Sequence, residues 1–199
     1  MKKVILYIHG FNSGPGDKSV ELQKQFPDCE IISPQLPYDS TEAMEILCEI
    51  FNSNLHKEVY VVATSLGAFY AMMLSTLQVL QDNITFYLIN PSFTPHNTLR
   101  RFVGTTVVNY KTGESYYVNE DFVNKLEAQH KALAQSYSAN TLHSCSFFLG
   151  TLDTLLDFTT LLDFVKQYKT PYRVHYSQQD HRFADISLVV RKIKENMVY

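Results

Sequence analysis

Short, almost continuously hydrophobic runs alternate along this chain with longer segments of mixed polarity. The runs are rich in Val, Ile, Tyr and Phe, and they lie at Val4–Ile8, Glu30–Ser33, Val59–Ala63, Ile84–Ile89, Ser146–Leu149 and Tyr172–Tyr176. Hydrophobic runs without polar alternation are typical of β-strands that are covered on both faces. The pattern therefore predicts six strands in the interior of the protein.

The segments between most of these runs have apolar residues at helical spacing. They lie at Ser19–Phe26, Thr41–Asn54, Ala68–Leu80, Phe158–Tyr168 and Ala184–Asn196. A strand that is followed by a helix and then by another strand favours a right-handed crossover between parallel neighbours. We therefore predict an α/β protein with a doubly wound, mostly parallel sheet of about six strands, each face covered by helices.

One long segment, residues 92–142, interrupts this alternation. It contains no clear buried strand, and its Tyr- and Asn-rich stretch precedes a polar helix predicted near Asp121–Ser136. An insertion of this length in a small α/β domain is usually a lid or a binding element. We therefore expect residues 1–199 to form a single domain, with residues 92–142 as a cap or lid.

Composition excludes several classes of function. The 199 residues are 45% hydrophobic and carry a formal charge of −3, without any run of Lys and Arg, so we expect no nucleic-acid partner. The three cysteines are widely spaced and form no metal-binding pattern. Neither a signal peptide nor an apolar run of roughly 20 residues is present. These features predict a soluble cytoplasmic protein, and they leave its oligomeric state open.

The third predicted strand runs directly into a motif that places a serine in a tight turn. Ala63-Thr64-Ser65-Leu66-Gly67 lies between this strand and an apolar helix, as in a nucleophile elbow. Such a turn lifts the serine hydroxyl above the sheet and directs the first N–H groups of the helix toward the atom that is attacked. Alanine replaces the usual first glycine, which the turn tolerates if φ stays negative at that residue.

A serine nucleophile needs a base, a group that orients the base, and donors for an oxyanion. In a doubly wound sheet these groups come from loops at the carboxyl ends of strands. Asp153 follows the fifth predicted strand and His181 follows the sixth. The order Ser65, Asp153, His181 is that of the α/β-hydrolase fold. The turn after the first strand, His9-Gly10-Phe11, offers the N–H of Phe11 as an oxyanion donor beside that of Leu66.

These motifs together resemble the α/β-hydrolases, and specifically the small bacterial esterases of the YqiA/YcfP type. The matching pieces cover nearly the whole chain. They are His9-Gly10-Phe11-Asn12-Ser13, Pro34-Gln35-Leu36-Pro37, Thr64-Ser65-Leu66-Gly67, Asn90-Pro91, Asn109-Tyr110-Lys111-Thr112-Gly113-Glu114, Leu149–Asp157 and Asp180-His181-Arg182-Phe183. Their order and spacing, more than any one of them, carry the resemblance.

The resemblance implies a serine hydrolase that cleaves carboxylic esters or thioesters of small to medium acyl groups. Ser65 would be the nucleophile, His181 the general base and then acid, and Asp153 the orienting carboxylate. The reaction would pass through an acyl-enzyme and would need no metal or organic cofactor. Asp157 remains an alternative to Asp153. A non-catalytic α/β-hydrolase-fold protein that binds a ligand or partner remains an alternative to the enzyme.

Two further groups of residues are candidates for substrate contact. Aromatic residues are abundant, and those proposed for an acyl pocket are Phe69, Phe93, Phe102, Tyr116 and Tyr117. Arg100 and Arg101 could meet a phosphate such as that of coenzyme A, or they could form a solvated helix face.

Overall fold

A six-stranded parallel sheet forms the centre of the protein in the computed structural model, which describes residues 2–77 and 83–197. Its strands are β1 (Lys3–Ile8), β2 (Glu30–Ile32), β3 (Glu58–Thr64), β4 (Ile84–Ile89), β7 (Cys145–Gly150) and β8 (Arg173–Ser177). They lie in the order β2-β1-β3-β4-β7-β8, and every neighbouring pair is parallel. The predicted fold class and all six predicted strands are confirmed.

The central strands are hydrophobic on both sides because each side of the sheet has its own core. In β1, Leu6 and Ile8 belong to one buried cluster, whereas Ile5 and Tyr7 belong to the other. This division follows the two-residue period of a strand, since successive side chains point to opposite faces. The continuous apolar runs in the sequence therefore reflect two cores separated by one sheet.

Helices cover both faces, as the doubly wound prediction requires. Buried residues of α1 (Asp17–Gln25) and α8 (Ser187–Met197) pack into one core. The other core receives α2 (Ser40–Asn54), α3 (Leu66–Thr76) and α7 (Thr159–Lys166). Nine of the eleven residues of α3 are buried, which explains its mostly apolar sequence. The predicted helix Ala68–Leu80 begins two residues earlier than expected, and residues 78–80 lie outside the described ranges.

The segment between β4 and β7 contains its own secondary structure. It consists of α4 (Pro95–Leu99), a 3-10 turn (Arg100–Phe102), the antiparallel strands β5 (Thr106–Val108) and β6 (Ser115–Tyr117), α5 (Glu120–Ser136) and α6 (Ala139–His143). The predicted polar helix corresponds to α5. The β5–β6 hairpin was not expected, because its strands have only three residues each and are largely exposed.

Helix α5 attaches this segment to the rest of the protein. Phe122, Val123 and Leu126 of α5 are buried in the same core as α2 and α3. Lys125 Nζ lies 2.6 Å from Asp39 Oδ2, and Asp39 also accepts hydrogen bonds from the first N–H groups of α2. Within residues 2–77 and 83–197, no helix combines the length and apolar character needed to cross a membrane.

Candidate active site

Ser65 stands at the junction of β3 and α3 in a backbone conformation that few residues adopt. Its φ and ψ are 55° and −119°. Strain of this kind persists where the surrounding structure fixes the residue, and it is typical of a nucleophile elbow. A Cβ atom at Gly67 would collide with the carbonyl oxygens of His9 and Ile8, so glycine is required there. Ala63 is fully buried and is not among the described residues with positive φ.

The three predicted residues Ser65, Asp153 and His181 come together beyond the carboxyl ends of β3, β7 and β8, respectively. His181 Nε2 lies 3.1 Å from Ser65 Oγ, and His181 Nδ1 lies 2.7 Å from Asp153 Oδ2. A proton on Nδ1 can be donated to the carboxylate, which leaves Nε2 as an acceptor for the serine hydroxyl. This arrangement allows a proton to move from Ser65 to His181.

The surroundings of Asp153 favour its ionised form. Its side chain is 0% exposed, and Oδ1 accepts hydrogen bonds from the N–H groups of Leu155 at 2.8 Å and Leu156 at 3.1 Å. Burial opposes ionisation, but the hydrogen bonds from His181 and from these N–H groups outweigh it, so the pKa of Asp153 is lowered. Asp157 accepts its hydrogen bond from the N–H of Thr159, at the start of α7.

The turn after β1 brings a second backbone N–H next to the serine. A Cβ atom on Gly10 would lie 3.1 Å from Ser65 Cβ, so the two loops nearly touch. In the described part of the chain, the N–H groups of Phe11 and Leu66 donate no hydrogen bond to the protein. His9 holds the turn: Nδ1–H donates to the Gly10 carbonyl at 2.9 Å, and Nε2 accepts from the Leu36 N–H at 3.1 Å. Burial lowers the pKa of His9.

Asn90 links the loops that carry Asp153 and His181, a role that the sequence analysis did not assign to it. Its side chain is buried at the end of β4, where Oδ1 accepts from the Gly150 N–H at 2.7 Å. Its Nδ2 donates to the carbonyls of Asp180 at 3.0 Å and His181 at 3.3 Å. Its φ is 42°, a left-handed value that Asn tolerates better than most residues. The available signal was an Asn immediately after a buried strand and before Pro91.

A cavity of about 460 Å³ opens beside Ser65. This volume lies within the range of roughly 300–1,000 Å³ that small-molecule sites occupy. The walls are formed by Tyr7, Gly10, Phe11, Ser13, Gly14, Gly16, Asp17, Lys18, Thr64, Ser65, Tyr110, Lys111, His181 and Arg182. The β5–β6 hairpin supplies Tyr110 and Lys111, so residues from the 92–142 segment do reach the site.

None of the five aromatic residues predicted for an acyl pocket lines this cavity. Phe69 is fully buried in the core, Phe93 packs against the rings of His130 and Phe164, and Tyr117 is 59% exposed. Phe102 lies behind the cavity wall, with its ring 5.7 Å from that of Phe11, whereas Tyr116 stacks at 4.5 Å on Tyr38, which is not a wall residue.

The two adjacent arginines do not line the cavity either. Arg100 pairs with Glu120 at 3.1 Å, and the guanidinium of Arg101 lies 5.0 Å from the centre of the Phe102 ring. Both residues therefore have partners on the 92–142 segment itself.

A protein-family comparison covers nearly the whole chain. The model described as "Uncharacterised protein family (UPF0227)" matches residues 4–197. This range includes Ser65, Asp153, His181 and the entire 92–142 segment. The match confirms the resemblance to the YqiA/YcfP type.

Solved structures with the same architecture include several esterases and lipases. Esterase Est1E from Butyrivibrio proteoclasticus superposes with a TM-score of 0.69 at 15% identity, over 99% of this chain and 87% of that one. A monoacylglycerol lipase from Paleococcus ferrophilus superposes with a TM-score of 0.68 at 12% identity, over 97% of this chain and 94% of the lipase. Mouse alpha/beta hydrolase domain-containing protein 10 superposes with a TM-score of 0.67 at 16% identity, over 98% of this chain and 89% of the mouse protein. Together these matches show the α/β-hydrolase fold.

Proposed function

Because this chain belongs to the UPF0227 family and has the α/β-hydrolase fold, we propose that it is a serine hydrolase of carboxylic esters or thioesters with small to medium acyl groups. The observation that carries the proposal is the continuous hydrogen-bonded series from Ser65 Oγ through His181 to Asp153, with distances of 3.1 and 2.7 Å. This series opens onto a cavity of small-molecule size. The similarity to esterases and lipases in fold is consistent with the proposal.

In the proposed reaction, Ser65 Oγ attacks the carbonyl carbon while its proton passes to His181 Nε2. The tetrahedral intermediate collapses to an acyl-enzyme, and the proton on His181 leaves with the alcohol or thiol. Water then attacks the acyl-enzyme and gives a proton to His181, which returns it to Ser65 as the carboxylic acid departs. Asp153 keeps the imidazole oriented and stabilises its protonated form.

The oxyanion in this mechanism is held by the N–H groups of Phe11 and Leu66. Both donors are free of protein acceptors among the described residues, and Leu66 N–H also belongs to the positive end of α3. Each donor of this kind contributes roughly 3–4 kcal/mol of barrier reduction. His9 contributes indirectly, because its two hydrogen bonds hold the turn that carries Phe11.

We assign the 92–142 segment a capping role within a single domain. The assignment is supported by Tyr110 and Lys111, which reach the cavity from the β5–β6 hairpin, and by the packing of α5 against the core. The five aromatic residues proposed from sequence are not needed for this role, since the cavity walls are formed by other side chains.

The proposal is tested by labelling with a fluorophosphonate and locating the adduct by mass spectrometry, together with turnover of p-nitrophenyl butyrate. We expect one adduct, on Ser65, and we expect Ser65→Ala to lose both labelling and turnover by up to about 10⁶-fold. Ser53→Ala, an exposed helix position, is the matched control and should retain both. A folded wild-type protein with neither adduct nor turnover would favour the non-catalytic binding protein instead.

A further inference from the structure

The cavity beside Ser65 has a positive charge that the molecule as a whole lacks. Its walls contain three cationic side chains, Lys18, Lys111 and Arg182, and one carboxylate, Asp17. The chain carries a formal charge of −3. These residues come from three separate parts of the fold: α1, the β5–β6 hairpin, and the loop after β8. Chain folding therefore concentrates cations at this one site.

Lys18 lies against the loop that carries Arg182. Lys18 Nζ donates a 2.7 Å hydrogen bond to the Arg182 carbonyl oxygen. Burial, and then the nearby guanidinium of Arg182, lower the pKa of Lys18, while Asp17 and Asp180 act in the opposite direction more weakly. Among the described residues, neither Lys18 nor Arg182 forms a salt bridge. A negatively charged group between them would relieve this repulsion.

Lys111 lies next to the loop that precedes α1. A Cβ atom on Gly16 would lie 2.9 Å from Lys111 Nζ, so the absence of a side chain at Gly16 makes room for the ammonium. The hairpin is anchored by Asn109, whose Nδ2 donates to the Ser13 carbonyl at 2.8 Å. Asp17 lies 3.8 Å from Lys111 Nζ, but its side chain is 94% exposed, so this pair neutralises little charge.

We propose that the substrate of this site carries a carboxylate or phosphate close to the scissile bond, and that Lys18, Lys111 and Arg182 bind this anion. The inference rests on the proposed hydrolase function and narrows its substrate class to anionic esters or thioesters. Cations that line the same cavity as the nucleophile attract such a substrate and fix its position. The position of the anion, on the acyl group or on the leaving group, is decided by experiment.

The test compares anionic esters with neutral esters of the same shape. For the acyl side, the pair is the p-nitrophenyl half-ester of adipate and its methyl ester. For the leaving-group side, the pair is the butyrate ester of hydroxynitrobenzoate and the methyl ester of that compound. We expect kcat/KM for the anionic member to exceed that of the neutral member by about tenfold or more in one pair, with a smaller excess at high salt. Competition by adipate and by inorganic phosphate then separates the two kinds of anion.

Variants that remove one positive charge test whether the preference for anionic esters comes from this cavity. We expect Arg182→Gln and Lys18→Gln each to reduce the ratio of anionic to neutral kcat/KM by about tenfold, and Lys111→Gln to reduce it less. Glutamine at position 18 retains a donor for the Arg182 carbonyl, and any displacement of His181 affects both esters and cancels in the ratio. Lys166→Gln, on the exposed surface of α7, is the control and should leave the ratio unchanged. A wild-type ratio near one in both pairs, or a ratio unaffected by the variants, overturns the inference.

Binding to Ser65→Ala protein keeps this test separate from the test of catalysis. If the wild type cleaves none of the four esters, the proposed function fails, and calorimetry with the uncleaved esters decides the anion site. Binding of an anionic ester about tenfold tighter than its methyl ester, lost in the Arg182→Gln background, supports the site. Equal binding of the two, or no binding of either, overturns it.

Discussion

Asp153 and Asp157 lie four residues apart in one loop, yet their carboxylates have different partners. Asp153 accepts from His181 and is shielded from solvent, whereas Asp157 accepts from the first N–H of α7 and is exposed. We expect Asp153→Asn to lower kcat for p-nitrophenyl butyrate by as much as about 10⁴-fold, because the amide no longer holds the imidazole in the required tautomer. Steady-state kinetics at saturating ester measures this effect.

Asp157→Asn is the matched control in the same loop. It retains a carbonyl oxygen that can accept from Thr159, so we expect kcat within about twofold of the wild type and a stability loss of about 1 kcal/mol or less. A larger loss of kcat for Asp157→Asn than for Asp153→Asn would reassign the orienting carboxylate.

The residues of the candidate site differ in how readily the sequence predicts them. Ser65 is apparent because a tight turn needs small neighbours in a local pattern, and Asp153 and His181 because each follows a predicted strand. Asn90 acts through backbone groups of Gly150, Asp180 and His181, which are distant along the chain. Only the packing of β4, β7 and β8 side by side brings those groups together, so no local pattern predicts these contacts.

At the scale of the strand, β4 carries an asparagine just before it begins and another just after it ends. Asn90, at the carboxyl end, supports the candidate site, whereas Asn83, at the amino end, donates to the carbonyls of Leu55 and Lys57. We expect Asn90→Ala to lower the free energy of unfolding by about 3 kcal/mol, since each buried polar group that loses its partner costs roughly 1–3 kcal/mol. We also expect fluorophosphonate labelling to slow at least about tenfold, because the His181 loop is released.

Asn83→Ala is the control that separates a loss of protein stability from a loss of His181 positioning. It removes two hydrogen bonds at the opposite end of the same strand, so urea unfolding should report a loss of about 1 kcal/mol while the rate of Ser65 labelling stays within about twofold. If the two variants slowed labelling equally, Asn90 would be a stabilising residue without a specific effect on the site.

The β5–β6 hairpin is the element that the sequence least revealed. Its strands have three residues each, and their faces are exposed or half-buried, so neither length nor alternation distinguishes them from loop. The position of the hairpin depends on tertiary hydrogen bonds, from Asn109 Nδ2 to the Ser13 carbonyl and between the hydroxyls of Ser13 and Tyr110. The strands of the central sheet, in contrast, are recognisable because two cores demand apolar residues on both faces.

For the whole molecule, the alternation of apolar runs and amphipathic segments was sufficient to predict the sheet and the helices on its faces. The same pattern could not identify which aromatic side chains border the cavity. Phe69 and Phe93 satisfy the same hydrophobic criterion as any core residue, and they are core residues here. The cavity walls are formed mostly by small, polar and charged residues from separate strands, helices and loops, whose convergence depends on the tertiary fold.

We expect four histidines distributed over the fold to make the stability of the protein sensitive to mild acid. Burial lowers the pKa of His9, His96, His130 and His175 from the usual value of 6.5. The unfolded chain therefore binds protons at these sites more readily than the folded one. We expect the free energy of unfolding to fall as pH decreases below about 6.5, by at most about 1.4 kcal/mol per pH unit for each histidine that stays neutral. Urea unfolding at several pH values between 7.5 and 5 measures this slope.

His130 offers the sharpest test, because its buried Nε2 has no hydrogen-bond partner among the described residues and its ring lies 5.1 Å from that of His96. Protonation of both rings would bring two positive charges together between α4 and α5. His130→Gln removes one of the two titrating groups and relieves the other of its cationic neighbour, so the decline in stability between pH 7 and 5 should become shallower. His143→Gln, at an exposed position, should keep the wild-type slope. A slope that is the same in both variants, or stability that rises in mild acid, would contradict the link between buried neutral histidines and the integrity of this fold.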